Sequence, residues 1–358
     1  MTILNVGDVV GSRYEILSYI DRGGMQEVYR ARDALLDRVV ALKSPQNKSA
    51  EKRFKRSAVV AARVNHANVA KTLDYVEENG RAYLIEEIIE GADFGKVFKV
   101  FGGVIDPYSV ARILHLLVRG ISASHHADVV HRDLKPSNLM SVGGEVIIGL
   151  KITDFGIAKL AEEEIAEAVE GGEGSLTASQ TAIGALPYMA PEMIQSIKDA
   201  GKPSDIWSVG ALVYEFLTGK KPFGTGLRAV PAILAGKYDG LPARCRKAQF
   251  SSVAAEVFDI VGRCLNVDPK ERPTADELVT ACGGLCYTTG SREIGVVNRI
   301  MDHRAFGFIS ARRGKDVFFH QASVFADRPL HVGDKVVFAR HLGGGSDRAF
   351  PVLKAAAS

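Results

Sequence analysis

The chain has 358 residues, enough for about two domains of ordinary size. Apolar residues make up 46% and charged residues 24%, with a formal net charge of +3, a balance that excludes a disordered or fibrous chain. No apolar run is long enough to cross a bilayer, so neither a membrane span nor a membrane partner is expected.

The opening residues, MTILNVGDVVGSRYE, lack the basic and apolar stretches of a secretory signal. Cys245, Cys264, Cys282 and Cys286 make no disulfide framework in a chain this long, and Cys282 and Cys286 have no second pair to complete a zinc site. A cytoplasmic location is expected. The charge is uneven: residues 292–358 hold 11 Lys+Arg and 6 Asp+Glu, and the remainder 34 and 36. A basic tail hints at an anionic partner, although solvated surface charge is the plainer reading.

In chain order, Tyr14–Ile20, Glu27–Ala31 and Val39–Lys43 are β-rich runs separated by turns. Residues 50–64 have helical apolar spacing, and Leu84–Ile89 reads as another strand. Helical periodicity then dominates, over Ser109–His126, Ser204–Thr218 and Ala254–Cys264. A β-rich lobe thus precedes an α-rich one. Residues 161–182 are acidic, then Gly/Ser/Thr-rich, the composition of a mobile loop. A break near 283–291 precedes short alternating strands at 293–300, 305–311, 315–320 and 334–341, the spacing of a small β-barrel.

Four motifs stand in order. Val40-Ala41-Leu42-Lys43 comes first. His131-Arg132-Asp133-Leu134-Lys135-Pro136-Ser137-Asn138 follows, then Asp154-Phe155-Gly156 and Ala190-Pro191-Glu192. This set resembles the eukaryotic-type Ser/Thr protein kinase family, including its bacterial members. The resemblance implies ATP with Mg²⁺ (or Mn²⁺) as cofactors and protein hydroxyls as acceptors. Phosphoryl transfer needs positioning and charge neutralisation more than covalent help. Asp133 would orient the acceptor hydroxyl, Lys135 would approach the γ-phosphate, and Asn138 and Asp154 offer hard oxygens to the metal. Lys43 would meet the α/β-phosphates, with Gly23, Gly24, Val28, Ala41, Glu86, Glu87 and Ile89 lining the nucleotide site. Glu192 and Arg272 match the family's buried ion pair, and Asp205 the residue that braces the catalytic loop.

The pattern also departs from the family. In Asp21-Arg22-Gly23-Gly24-Met25-Gln26-Glu27-Val28 only the middle motif glycine, Gly23, survives, and Asp21 brings negative charge toward the phosphates. The helix position that usually supplies a Glu to Lys43 falls on Ser57, and Glu51 faces elsewhere. Glu86 stands at the gatekeeper position. A buried, unpaired carboxylate is costly, so Glu86 is expected to replace the helix Glu as partner of Lys43; the alternative is a register in which it points to solvent. Ala185 stands where the family has Thr, which puts substrate alignment in question. Thr177 and Ser179 match loop phosphosites of bacterial receptor-type kinases, so autophosphorylation is expected, with Arg132 placed to pair the phosphate. A pseudokinase scaffold or nucleotide-binding sensor is the competing reading.

In the tail, Arg304-Ala305-Phe306-Gly307-Phe308-Ile309, Lys315-Asp316-Val317-Phe318-Phe319-His320 and Val332-Gly333-Asp334 resemble a cold-shock domain. That family is a five-stranded barrel binding single-stranded RNA or DNA. Phe306, Phe308, Phe318 and His320 would share one face for base stacking, with Arg299 and Arg304 as cationic contacts, and Phe319 and Phe338 would be core. Arg299 replaces the family's first-strand Trp and could stack by its guanidinium. Docking of the module on the kinase or another protein is the alternative. The expected fold class is α+β: a bilobal kinase fold over 12–283 (lobes about 12–90 and 91–283), a linker at 284–291, and an OB-type all-β barrel over 292–358. The tail is expected to modulate the kinase.

Overall fold

The computed structural model describes residues 2–22, 26–46, 54–55, 58–155, 184–196, 199–287, 292–301, 303, 305–312 and 314–355. The N-terminal lobe is an antiparallel sheet of β1 (Val9–Val10), β2 (Tyr14–Arg22), β3 (Gln26–Asp33), β4 (Arg38–Pro45), β5 (Thr72–Glu78) and β6 (Arg81–Glu87). Its order is β1-β2-β3-β4-β6-β5. Alternation along β2 turns Tyr14 and Ile16 inward against Tyr29, Ala31, Val40, Leu42 and Ile85. β5 was not anticipated, because TLDYVEE lies half-buried at the sheet edge and carries no clean alternation. The strand expected to reach Ile89 ends at Glu87.

The second lobe opens with β7 (Gly91–Asp93), which pairs with β8 (Leu139–Val142), itself paired with β9 (Gly149–Ile152), in a small sheet whose central strand β8 follows the catalytic loop. Its helices are α1 (Phe94–Val100), α2 (Pro107–His126), α3 (Pro191–Gln195), α4 (Lys202–Thr218), α5 (Val230–Ala235), α6 (Ser251–Cys264) and α7 (Ala275–Gly283). α2 and α4 each start two residues earlier than the periodicity suggests. Pro107 and Pro203 occupy the first turn, where a missing N–H costs nothing. Asp106 caps α2 by accepting from Ser109 N at 3.1 Å.

The last five strands, β10 (Arg292–Ile300), β11 (Phe306–Ala311), β12 (Val317–His320), β13 (Lys335–His341) and β14 (Arg348–Lys354), close a barrel in the order β10-β11-β12-β14-β13. β10 pairs with β13 to seal it. β14 was missed because Pro351 reads as a strand breaker. Val297, Ile309, Val317, Phe319, Phe338 and Val352 fill the interior.

The barrel is packed on the helical lobe. Arg292 Nη2 donates to Asp106 Oδ2 at 2.8 Å, with side-chain exposures of only 5% and 0%. Phe350 lies against Tyr108 and Phe250, with centroids 5.3 and 5.7 Å apart, and Phe325 meets Phe250 at 5.1 Å. Val337, Leu353 and Ala355 join the apolar core of the lobe. Lys247 Nζ donates to the carbonyls of Val324 and Ala326 at 2.8 and 3.1 Å.

Candidate active site and nucleic-acid face

The catalytic loop is held by its backbone. Asp205, fully buried at the start of α4, accepts from His131 N and Arg132 N, both at 2.8 Å, and contacts His125 Nε2 at 3.0 Å. Two charge-assisted bonds keep Arg132 at a φ of 66° that a non-glycine residue adopts only under constraint. His131 Nε2 contacts Thr153 O at 2.9 Å, and its ring lies 4.6 Å from that of Phe155. The loop is thereby tied to the segment that carries Asp154.

Within this frame Lys135 Nζ donates to Asp133 Oδ2 at 2.7 Å. Asn138 Nδ2 donates to Asp133 O at 2.7 Å and to Asp133 Oδ2 at 3.0 Å. The amide is fixed by its nitrogen, which leaves Asn138 Oδ1 as the acceptor side. Opposite stands Lys43 on β4. Its Nζ donates to Asp154 Oδ1 at 2.8 Å and meets Glu86 Oε2 at 2.7 Å. The Glu86 side chain is 6% exposed, so the strand register turns it inward, as the pairing of Ala41 with Glu86 requires. Burial opposes the charge on Lys43, but Asp154 and Glu86 outweigh it and its pKa is raised. Burial drives Glu86 up, and Lys43 offsets this only in part. Asp154 is held below its usual value, because Lys43 and Gln26 overcome the cost of burial.

Gln26 was not singled out from the sequence. It stands in the last glycine position of the phosphate-covering motif, and its Nε2 donates to Asp154 Oδ1 at 2.8 Å. The signal was the departure itself: a long polar side chain where the motif needs none. Asp21 is likewise engaged, by Lys96 Nζ of α1 at 2.6 Å, an exposed ion pair joining the two lobes. Val28 pairs with Lys43 across β3 and β4. The Glu87 carboxylate turns to Lys151 Nζ at 2.7 Å and Lys71 N at 2.8 Å, and Ile89 lies half-buried beyond β6. Arg272 is bidentate on Glu192, with both contacts at 2.8 Å. Gly23, Gly24, Glu51, Ser57, Thr177, Ser179 and Arg304 lie outside the described residues.

Among the described residues there is no cluster of three or more His, Cys, Asp or Glu side chains arranged for a metal. One carboxylate and one amide oxygen, from Asp154 and Asn138, suit a hard cation that keeps water and phosphate oxygens as its other ligands. The donor set therefore fits Mg²⁺ delivered with a nucleotide.

On the barrel, Phe306 and Phe318 have centroids 5.6 Å apart, and Phe308 meets Phe318 edge-on at 6.0 Å. All three are half-buried on the outer face, while Phe319 and Phe338 are fully buried. The Arg299 guanidinium lies 4.7 Å over the Phe308 ring, where it adds a flat cationic surface to the aromatic group. His320 pairs with Phe306 across β11 and β12 and is exposed. Asn298, Ser310 and Asp316 make a hydrogen-bonded cluster on neighbouring strands, with Asn298 Nδ2 to Asp316 Oδ2 at 2.6 Å.

Residues 14–281 match the model of the protein kinase domain, and residues 293–355 that of the "cold-shock" DNA-binding domain. The Bacillus subtilis serine/threonine-protein kinase PrkC is 31% identical over 279 residues, covering 76% of this chain and 40% of its own. The Mycobacterium tuberculosis serine/threonine-protein kinase PknL is 34% identical over 220 residues, covering 60% of this chain and 51% of its own. This chain thus spans about half or less of the length of these relatives. No helix among the described residues is long and apolar enough to cross a membrane. The chain belongs to the protein kinase family, with a eukaryotic-type Ser/Thr kinase domain of the bacterial kind followed by a cold-shock domain.

Proposed function

We propose that the chain transfers the γ-phosphoryl group of ATP to Ser or Thr hydroxyls of proteins, and that its barrel binds single-stranded RNA or DNA and modulates that activity. The observation that carries the first reading is the Asp133–Lys135–Asn138 constellation facing Lys43 and Asp154. Mg²⁺-ATP would supply the transferable group and charge neutralisation, held by Asn138 and Asp154. Asp133 accepts the proton of the acceptor hydroxyl as its oxygen bonds to the γ-phosphorus. The bond to the β,γ-bridging oxygen breaks and ADP leaves. Lys135 stands beside Asp133, where it can meet the negative charge of the transferring group. Glu86 acts on Lys43 as a positioning residue in place of the usual helix carboxylate. Arg132 Nε, buried without an acceptor among the described residues, is suited to a phosphate on the loop that holds Thr177 and Ser179.

The second reading, a nucleotide-binding scaffold, is favoured by one observation. Asp154 Oδ1 receives both Lys43 and Gln26, so its metal-binding oxygen is already occupied twice. Phosphate incorporation from labelled ATP with Mg²⁺ separates the two, comparing the native chain with Asp133→Asn, each with and without oligo(U). Incorporation lost in the variant supports the kinase. An intact fold stabilised by Mg²⁺-ATP, yet inert under every condition, supports the scaffold. An oligonucleotide that binds without changing the rate removes the modulation.

A further inference from the structure

A cleft of about 650 Å³ opens between the barrel and the helical lobe. One wall is the turn after β12, residues 321–329, and the other is residues 243–249, which precede α6. Its volume falls within the range of sites for small ligands. Arg244, Lys247 and Arg328 line it against a single carboxylate, Asp327, which is paired with Arg244. Lys247 donates to two carbonyl oxygens and feels Asp327 only at a distance, and Arg328 is exposed with no ion pair among the described residues. With three cations against one carboxylate the cleft is cationic, which suits an anion.

Its position names the anion. Gln321 directly follows His320, the cross-strand partner of Phe306, and Gln321 N donates to Ala305 O at 2.8 Å, just ahead of Phe306. The cleft thus begins one residue beyond the aromatic face. A strand whose bases stack on Phe306, Phe308 and Phe318 and leaves past His320 has its backbone led between the two domains.

We propose that the kinase lobe completes the nucleic-acid site: a single strand leaving the barrel face runs into this cleft, its phosphates shared between Arg328 of the barrel and Lys247 of the lobe. This rests on the proposed binding of single strands by the barrel. The consequence is a ligand that touches both domains, and a site that exists only while they are docked.

The test uses the full chain and fluorescent oligo(U) of about 4 nucleotides, the smallest footprint of one OB barrel, and of about 12. Ala248 and Gln249 are exposed on the lobe side of the cleft and belong to no proposed catalytic group. Ala248→Glu is expected to weaken the longer oligonucleotide by about threefold to fivefold at low salt, and Ala248→Lys to tighten it, with the shorter one unchanged. Gln249→Glu should act like Ala248→Glu. Unchanged melting temperatures check that the variants are folded. If all three bind the longer strand like the native chain, while Phe318→Ala still weakens it, the cleft is not part of the path and the barrel reading stands. If the native chain binds no oligonucleotide of either length, the barrel reading falls and this one falls with it.

Discussion

Glu86 sits where a carboxylate is expensive, and what makes it tolerable is Lys43 at 2.7 Å. Glu86→Gln keeps the volume and removes the charge, leaving Lys43 with Asp154 as its only anionic partner among the described residues. A lysine drawn wholly to Asp154 competes with the metal there. The expected result is a fall in kcat/KM of about tenfold to a hundredfold, the scale of one charge-assisted contact. The pH profile separates positioning from mere packing. Because burial raises Glu86 above the usual carboxylate range, the native rate should fall with acid at a higher pH than an ordinary Glu would set. Glu86→Gln should move that limb to lower pH, and an unmoved limb would rule out Glu86 as the group behind it. This pair was readable before the structure, because a gatekeeper carboxylate near a buried lysine has few other ways to be satisfied. Gln26 was not, since nothing in linear spacing tells that a side chain reaches across the cleft to Asp154, 128 positions away. The worry about Asp21 eased for a similar reason: Lys96, from the other lobe, stands at 2.6 Å from it.

At the scale of elements, the open end of the β2–β3 hairpin is tied by Arg13, just before β2, on Asp33, the last residue of β3, Nε to Oδ1 at 2.7 Å and Nη2 to Oδ2 at 2.8 Å. Asp33 also accepts from Leu35 N and Leu36 N and is fully buried. The Arg13 hydrogen bonds, more than offsetting burial, bring its pKa from 3.8 down to about 2. A lowered carboxylate stabilises the fold above its unfolded pKa and loses that contribution as the pH falls through its folded one. Asp33→Asn should therefore cost about 1–3 kcal/mol at neutral pH, with the deficit narrowing between 3.8 and about 2 in acid melts. A deficit constant across that window would mean that charge is not its cause. In the barrel, Gly307 faces inward on β11. A Cβ there would lie 2.5 Å from Arg299 O and 2.7 Å from the Phe319 ring. The backbone oxygen belongs to the neighbouring strand and cannot retreat without opening the β10–β11 pairing. Gly307→Ala is expected to destabilise the barrel by about 1–3 kcal/mol and to weaken oligonucleotide binding with it, read by thermal melting and anisotropy. Elements with strong periodicity, such as α2 and β11, were legible within two residues. β5 and β14 were not, one because an edge strand has no buried face to alternate, the other because it contains a proline.

For the whole molecule, sequence suggested two modules in a row and left docking of the barrel on the kinase as an alternative, and the residues that make the contact are what it could not supply. The interface draws single residues from distant places: Asp106 and Tyr108 from α2, Phe250 before α6, and Arg292, Phe325 and Phe350 from the barrel. None of these carries a motif, and each alone reads as an ordinary core or surface residue. Arg292 is the most informative. It reaches the carboxylate that caps α2, the helix whose far end holds His125 against Asp205. Removing it leaves Asp106 buried, with only the Ser109 amide as a donor among the described residues, and breaking a buried pair on one side costs about 3–5 kcal/mol. Arg292→Ala should therefore loosen the barrel without touching the catalytic loop. In calorimetry, the native chain should unfold the helical lobe and the barrel together, whereas the variant should show a separate, earlier barrel transition. Phe350→Ala, which removes a ring shared by Tyr108 and Phe250, should act in the same direction. If both variants melt as the native chain does, the contact between the domains does not bind them into one cooperative unit, and any effect of the barrel on the kinase must come by another route.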